Sequence, residues 1–117
     1  MRTSGQKLSA SLKTQLTKTF AQMIADLRGL SEVEIFLNDF FNESELETFV
    51  KRLAVAYWLK KGRSYNNIKE NLKVSSATIA TIEKLTKKPG FSLAIQKTEA
   101  EEWANVWSEK IKKIAKL

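Results

Sequence analysis

The side chains best suited to chemistry lie between Ser64 and Lys84, in the stretch SYNNIKENLKVSSATIATIEK, where most residues are small, polar or basic. Hydroxyl groups, lysines and the backbone N–H groups of a helix N-terminus all bind phosphate oxygens. Counted from Tyr65, the large aliphatic residues occupy the fourth, eighth, tenth, fifteenth and eighteenth positions. That spacing packs the two helices of a helix-turn-helix unit onto each other and onto a core. The five residues are Ile68, Leu72, Val74, Ile79 and Ile82.

Both helices of this unit have start signals. Ser64 caps a helix predicted over Tyr65 to Asn71, and Ser75 or Ser76 caps a second one that runs to about Leu85. Small residues on the first turn of the second helix would let it approach base edges in a major groove about 12 Å wide. No Arg, Asn or Gln lies on its exposed face, so we expect readout that is weak, water-mediated or shape-dependent. The predicted DNA-binding residues are Arg63, Ser64, Lys73, Ser75, Ser76, Ala77, Thr78, Thr81, Lys84, Lys87 and Lys88.

Two positions depart from the usual helix-turn-helix pattern. The fifth position, usually small because the helices touch there, is Lys69, and the ninth, usually a left-handed glycine, is Lys73. A lysine in that conformation costs about 1 kcal/mol or more. The same spacing occurs by chance in helical proteins and in units that bind proteins, so both uses of the unit stay open.

Positive charge is concentrated around this stretch. The chain has a net charge of +7, but residues 60–90 hold eight basic and two acidic residues, and residues 31–59 hold two basic and six acidic ones. A basic segment beside an acidic one is typical of a polyanion-binding face. The alternative is a solubilising lysine-rich surface.

Composition excludes several classes of protein. Without cysteine or histidine, most zinc, iron and copper sites and the usual nucleophile–base pairs are ruled out. The remaining polar residues form no recognisable active-site pattern, so we expect no enzyme, no catalytic residue and no metal. The longest apolar run, Leu53 to Leu59, is too short to span a bilayer, and the N-terminus lacks the apolar core of a secretory signal. The expected location is therefore the cytoplasm, with no membrane partner.

The elements that position the helix-turn-helix are helical, since no strand-like alternation occurs. Ser31 with Glu34 forms a capping-box start for a second helix, and a third, apolar over more than half its circumference, runs from Asn42 or Ser44 to Gly62. That third helix should lie centrally in the core. The first helix, about 20 residues long, has an apolar stripe that must pack on the domain or on a second copy of the chain. The stripe is formed by Leu8, Leu12, Leu16, Phe20, Met23, Ile24 and Leu27.

A last amphipathic helix is predicted after Gly90. Trp103 and Trp107, four residues apart, either pack against the rest of the protein, which we favour, or form a platform for a ligand or partner. The apolar side of this helix comprises Trp103, Val106, Trp107, the stem of Lys110, Ile114 and Leu117.

From about Leu30 to Leu85 the sequence resembles the Trp repressor family, most closely its uncharacterised bacterial branch. The resemblance rests on ELETFVKRLAVAYWLKKGRSYNNIKENLKVSSATIATI, in which Ala77-Thr78-Ile79 matches the same three letters in the repressors. It implies an all-helical homodimer whose N-terminal helices interlock and whose two helix-turn-helix units reach successive major grooves. The domain would span residues 1–90, with 1–29 as the dimerisation helix and 91–117 as an extra amphipathic helix packed on it.

The resemblance also implies an effector pocket. The repressors hold tryptophan between two arginines, which fall on Arg52 and Thr81 here, and a threonine of that pocket falls on Asn42. Because Thr81 supplies no charge, we do not expect L-tryptophan as corepressor, and Arg52, Asn42 and Thr81 stay a candidate effector pocket. Arg52 is more simply read as the partner of an acid, which could be Glu45, Glu47 or Asp39.

Together these observations favour a homodimeric DNA-binding transcriptional regulator that reads sequence or shape. The alternative is a protein-interaction module that uses the helix-turn-helix as scaffold and the Trp-bearing C-terminal helix as contact surface. A small RNA-binding helical protein is a third reading, but the aromatic stacking surface usual in such proteins is missing.

Overall fold

The chain is described here by a computed structural model that covers the backbone of residues 5–115 and the side chains of residues 5–102 and Lys113. These residues contain helices and no strand, which confirms the predicted all-α class. They divide between Glu43 and Ser44 into two compact units. The six helices are α1 (Ala10–Ala25), α2 (Gly29–Phe40), α3 (Glu43–Lys60), α4 (Tyr65–Leu72), α5 (Ser76–Leu85) and α6 (Pro89–Ala115).

Phenylalanine rings from α1 and α2 hold the first unit together. The ring centroids of Phe36 and Phe40 lie 4.9 Å apart, and Phe20 of α1 lies 5.7 Å from Phe40. Such pairs contribute about 0.5–1.5 kcal/mol each beyond the burial of their surface. No residue of α1 or α2 is buried. Most of the predicted stripe is exposed, at Leu8, Leu12, Leu16, Phe20 and Ile24.

α2 begins at Gly29, so the predicted start at a Ser31–Glu34 capping box is wrong. At the observed start of the helix, the Arg28 N–H donates a hydrogen bond to the Glu32 Oε1 at 2.8 Å. Gly29 has φ +68°, a left-handed conformation that glycine adopts without the clash of a Cβ. The glycine therefore lets the chain enter the helix before the serine signal is reached.

The second unit has a core built from α3, α4, α5 and the start of α6. Val55, Ala56 and Tyr57 of α3 supply a large part of it, whereas Phe49, Val50 and Leu53, which come earlier in the helix, are exposed. The prediction that α3 is central to the core is therefore right for Val55, Ala56 and Tyr57 and wrong for Phe49, Val50 and Leu53, which stay exposed. Within the described side chains the buried apolar residues are Val55, Ala56, Tyr57, Ile68, Ile79, Ile82 and Ile95.

A left-handed glycine ends α3, as predicted. Gly62 has φ +82°, and its N–H donates to the Leu59 carbonyl at 3.0 Å. The Arg63 N–H donates to the Trp58 carbonyl at 3.1 Å. These two bonds close the helix end and turn the chain towards α4, as in other helices capped by a left-handed residue.

α6 begins at Pro89, one residue before Gly90, and not after it as predicted. Proline suits the first position of a helix because no N–H donor is needed there. Ile95 and Phe91 pack in or against the core, and the Tyr57 hydroxyl donates a hydrogen bond to Glu102. The predicted apolar positions from Trp103 onwards lie outside the described side chains, and the domain boundary at residue 90 stays a prediction.

Candidate nucleic-acid interface

The helix-turn-helix is capped as its sequence predicts. The Ser64 Oγ accepts a hydrogen bond from the Asn67 N–H, and the Ser75 Oγ accepts one from the Thr78 N–H, both at 3.1 Å. Such caps stabilise a helix by about 1 kcal/mol each. Ser75, not Ser76, is thus the cap of α5.

The aliphatic spacing that predicted the motif is confirmed in the core. Ile68 and Ile79 are completely buried, and Ile82 is 5% exposed. Leu72 and Val74 are partly buried against these residues. Burying side chains of this size contributes about 1.5–3 kcal/mol each, so the five positions both hold α4 against α5 and hold the pair on the unit.

The turn between α4 and α5 contains a strained lysine. Lys73 has φ 54° and ψ 51°, the left-handed conformation that its place in the motif predicts. The Lys51 Nζ on α3 donates a hydrogen bond to the Lys73 carbonyl oxygen at 3.4 Å. The turn is therefore tied to α3 from outside the motif.

Lys73→Gly is expected to stabilise the chain by about 0.5–1 kcal/mol, because glycine adopts the left-handed conformation without a Cβ penalty. Urea titration followed by circular dichroism measures the change. Lys69→Gly is the matched control, and it should cost about 1 kcal/mol because it places glycine inside α4. A loss of stability in Lys73→Gly would mean that contacts of the lysine side chain outweigh the backbone strain.

The first turn of α5 is open to a binding partner. Ser76, Ala77 and Thr78 are exposed, as a helix that enters a groove requires. The Thr81 hydroxyl donates to the Ala77 carbonyl at 3.0 Å, so its hydrogen is already used, and Thr81 is suited to methyl contacts and to accepting a bond. The Ser75 oxygen serves as the cap. The phosphate-binding groups that this geometry favours are the Ser76 hydroxyl and the backbone N–H groups of Ser76 and Ala77, because the Thr78 N–H already donates to the cap.

Basic side chains flank the motif. The Arg63 guanidinium lies 4.0 Å from the centre of the Trp58 ring, and its Nη1 donates to the Asn67 Oδ1 at 3.3 Å. These contacts position the cation beside the start of α4 and leave its charge intact. The other predicted cations that accompany α5 are exposed, at Lys84, Lys87 and Lys88.

A tyrosine–glutamate hydrogen bond joins the two helices of the motif. The Tyr65 hydroxyl donates to the Glu83 Oε1 at 2.9 Å. This bond, with desolvation and the charge of Glu83 as smaller causes, raises the pKa of Tyr65 above its usual value of 10.0. Because the folded-state pKa is the raised one, the contribution to stability is complete below pH 10.0 and disappears as the pH rises through the folded-state pKa.

Tyr65→Phe should remove this pH dependence. Above about pH 10 the native chain should lose part of its stability advantage over the variant, because only the native chain has the hydroxyl to ionise. Urea midpoints measured for both proteins near pH 8 and above pH 10 give the comparison. Tyr57 is present in both and serves as the internal control. An advantage of the native chain that stays constant with pH would show that the bond to Glu83 does not couple the helices.

A cavity of about 330 Å³, the recognition-helix cavity, is lined by α3 and α5 and contains two of the three predicted effector residues, Arg52 and Thr81. Asn42 does not line it and belongs to the first unit. Sequence reasoning missed Lys51, whose position depends on a contact across 22 residues with Lys73. The lining residues are Thr48, Lys51, Arg52, Val55, Val74, Ala77, Thr78, Thr81, Ile82 and Leu85.

The cations of this cavity have different neighbours. Glu47, one of the acids predicted to pair with Arg52, lies 3.4 Å from Lys51 instead. The Arg52 guanidinium lies 5.6 Å from the centre of the Phe49 ring. The charged lining residues are thus both positive, Lys51 and Arg52, and neither is on the recognition helix.

The described residues contain neither a metal-binding cluster nor a membrane-spanning helix. No group of three or more acidic, histidine or cysteine side chains there could hold a metal ion. Among the same residues, no helix combines the length and apolar character needed to cross a bilayer.

A family model described as "Trp repressor protein" matches residues 15–99 of the chain, a range that includes the whole helix-turn-helix and the start of α6. Neither the curated proteins nor the solved structures contain a match to the chain.

Proposed function

The chain belongs to the Trp repressor family, and from this premise we propose that it is a homodimeric DNA-binding transcriptional regulator. The observation that carries the proposal is the helix-turn-helix itself. Its aliphatic residues are buried, and the first turn of its second helix is exposed, small and flanked by cations. The family consists of non-enzymatic regulators, and regulation of this kind would take place in the bacterial cytoplasm.

Recognition of DNA is proposed to be mainly electrostatic and shape-dependent. The exposed side chains in the first two turns of α5 are serine, alanine and threonine, which permit close approach but make no bidentate contact with a base edge. Arg63 and the lysines after α5 would bind phosphates and so set the register on the duplex. Affinity should therefore depend steeply on salt.

The homodimer is supported by the exposed apolar surface of the first unit. Leu12 and Leu16, 42% and 48% exposed, lie one helical turn apart on α1, and Ile35 on α2 is also exposed. A patch of this kind marks an interaction site. A second copy of the same helices would cover it with an equal surface, as closed twofold association requires.

We propose that the recognition-helix cavity is not a site for L-tryptophan. Thr81 cannot supply the charge that a carboxylate needs at that position, and the neighbouring Lys51 already pairs with Glu47 at 3.4 Å. The effector, if the regulator uses one, would have a different chemistry.

The test is a fluorescence-anisotropy titration of the purified chain with mixed-sequence duplex DNA, together with a light-scattering mass. At roughly 50 mM salt we expect binding by a dimer, and at roughly 200 mM a loss of affinity of at least tenfold. A folded dimer that fails to bind DNA at the lower salt would contradict the proposal. It would favour the interaction-module reading, which the exposed Leu93 on α6, 57% accessible, also fits.

A further inference from the structure

Three side chains that end in methyl groups lie together on the first two turns of α5. Ala77, Thr78 and Thr81 are exposed, and their spacing of three and four residues places them on one side of the helix. We call these three residues the methyl face of α5. The helix contains no arginine, asparagine or glutamine, so it has none of the side chains that make paired hydrogen bonds with guanine or adenine.

The hydroxyl groups of both threonines are already hydrogen-bonded within the helix and its cap. The Thr81 hydroxyl donates to the Ala77 carbonyl at 3.0 Å. The Thr78 hydroxyl shares a hydrogen bond of 2.9 Å with the hydroxyl of Ser75, the residue that caps α5. Because such a bond fixes the rotation about Cα–Cβ, it also fixes the methyl group on the same Cβ. The methyl face therefore presents methyl groups in defined positions and little capacity for new hydrogen bonds.

Thymine is the base whose edge carries a methyl group in the major groove, and alanine and threonine methyls make apolar contacts with that group. One turn of α5 rises about 5.4 Å, whereas one base step rises about 3.4 Å. The methyl face is therefore long enough to reach neighbouring base pairs. Lys84, exposed three residues beyond Thr81, supplies charge for a phosphate further along the same helix.

We propose that the methyl face reads thymine methyl groups in the major groove and gives the regulator a preference for thymine at the base pairs that face α5. This inference rests on the proposed function, which brings α5 into the groove, and adds a base preference to binding that is otherwise electrostatic and shape-dependent. Burial of one methyl group raises affinity by about fourfold. A dimer that buries one in each half-site should prefer thymine to uracil by roughly tenfold.

The test compares mixed-sequence duplex pools that differ only at the C5 position of their pyrimidines. One pool is amplified with thymidine triphosphate and the other with deoxyuridine triphosphate, and each is titrated against the full chain by fluorescence anisotropy. We expect the uracil pool to bind at least roughly threefold more weakly, because only some duplexes of a mixed pool present thymine in both half-sites.

A third pool, with deoxyuridine for thymidine and 5-methylcytosine for cytosine, distinguishes two sources of the same methyl group. Restored affinity would support reading of the pyrimidine methyl on either base. Affinity that stays at the level of the uracil pool would support reading of thymine alone.

Thr81→Ser and Thr81→Val form a matched pair, each scored by the ratio of its affinities for the thymine and uracil pools. Serine keeps the hydroxyl and lacks the methyl, so the ratio should fall by at least roughly twofold. Valine keeps the methyl and lacks the hydroxyl, so the ratio should persist. A ratio that persists with serine and disappears with valine would mean that the hydroxyl reads the base, and it would overturn the proposal.

Failure of this inference and failure of the proposed function give different results. Equal affinity of the native chain for the thymine and uracil pools would overturn methyl reading and leave a DNA-binding regulator that responds to charge and shape alone. A folded dimer that binds neither pool at roughly 50 mM salt would overturn the proposed function and this inference with it.

Discussion

Lys84→Glu should reduce the affinity of the chain for mixed-sequence duplex DNA by about a hundredfold at low salt. The substitution replaces an attraction to phosphate by a repulsion in each subunit of the proposed dimer. Each lost phosphate contact reduces the slope of log affinity against log salt concentration by about one. Lys84 is exposed in the last turn of α5, so the core is untouched. Anisotropy titrations at two salt concentrations measure the effect.

Two controls separate lost DNA contact from lost stability. Glutamate near a helix C-terminus costs about 0.3–1 kcal/mol, which a urea titration of Lys84→Glu will report. Lys97→Glu makes the same change in charge at an exposed position of α6 outside the predicted DNA-binding set, and it should weaken binding much less. If the two variants lose affinity equally, α5 has no special role and the positive charge acts only as a general surface.

Leu16→Glu should convert the proposed dimer into a monomer and lower DNA affinity by about a hundredfold or more. Leu16 lies in the middle of the exposed stripe of α1, where a second copy would bury it. A buried, unpaired carboxylate costs several kcal/mol, more than the burial of a leucine contributes. A monomer would present one helix-turn-helix where the dimer presents two, so binding at both grooves is lost. Light scattering gives the mass, and anisotropy gives the affinity.

Gln15→Glu is the matched control for this prediction. It adds the same charge to the adjacent position of α1, which is outside the apolar stripe, and it should leave both the mass and the DNA affinity nearly unchanged. A dimer that survives Leu16→Glu would place the interface elsewhere, and the exposed Phe49 and Leu53 of α3 would then be the surface to test.

Local signals were sufficient to predict most of the helix-turn-helix. Serine caps and aliphatic spacing act over a few residues, so Ser64 and Ile79 could be placed from the sequence. The lysine at position 73 departs from the usual glycine of the motif and counted against it, yet Lys73 adopts the left-handed conformation of that position. At the start of α2 the sequence contains two possible helix starts. The helix begins at Gly29, with Glu32 accepting a hydrogen bond from the Arg28 N–H, and not at the Ser31–Glu34 capping box.

Contacts between distant segments could not be predicted in the same way. The bond from Tyr65 to Glu83 spans 18 residues, and that from Lys51 to Lys73 spans 22. Neither pair has a sequence signal, since each depends on how α3, α4 and α5 pack. Apolar periodicity does not indicate which element covers an apolar face. For this reason Phe49 was expected to lie in the core, whereas it is exposed.

The absence of any buried residue in α1 and α2 has a consequence for how the amount of protein controls its activity. If these helices gain their packing only from a second chain, part of the folding free energy is association free energy, and the folded fraction rises with total concentration. The melting temperature should then rise when the protein is concentrated. For the proposed regulator, dilution by cell growth would then lower the folded fraction, and its affinity for DNA would depend on its own abundance.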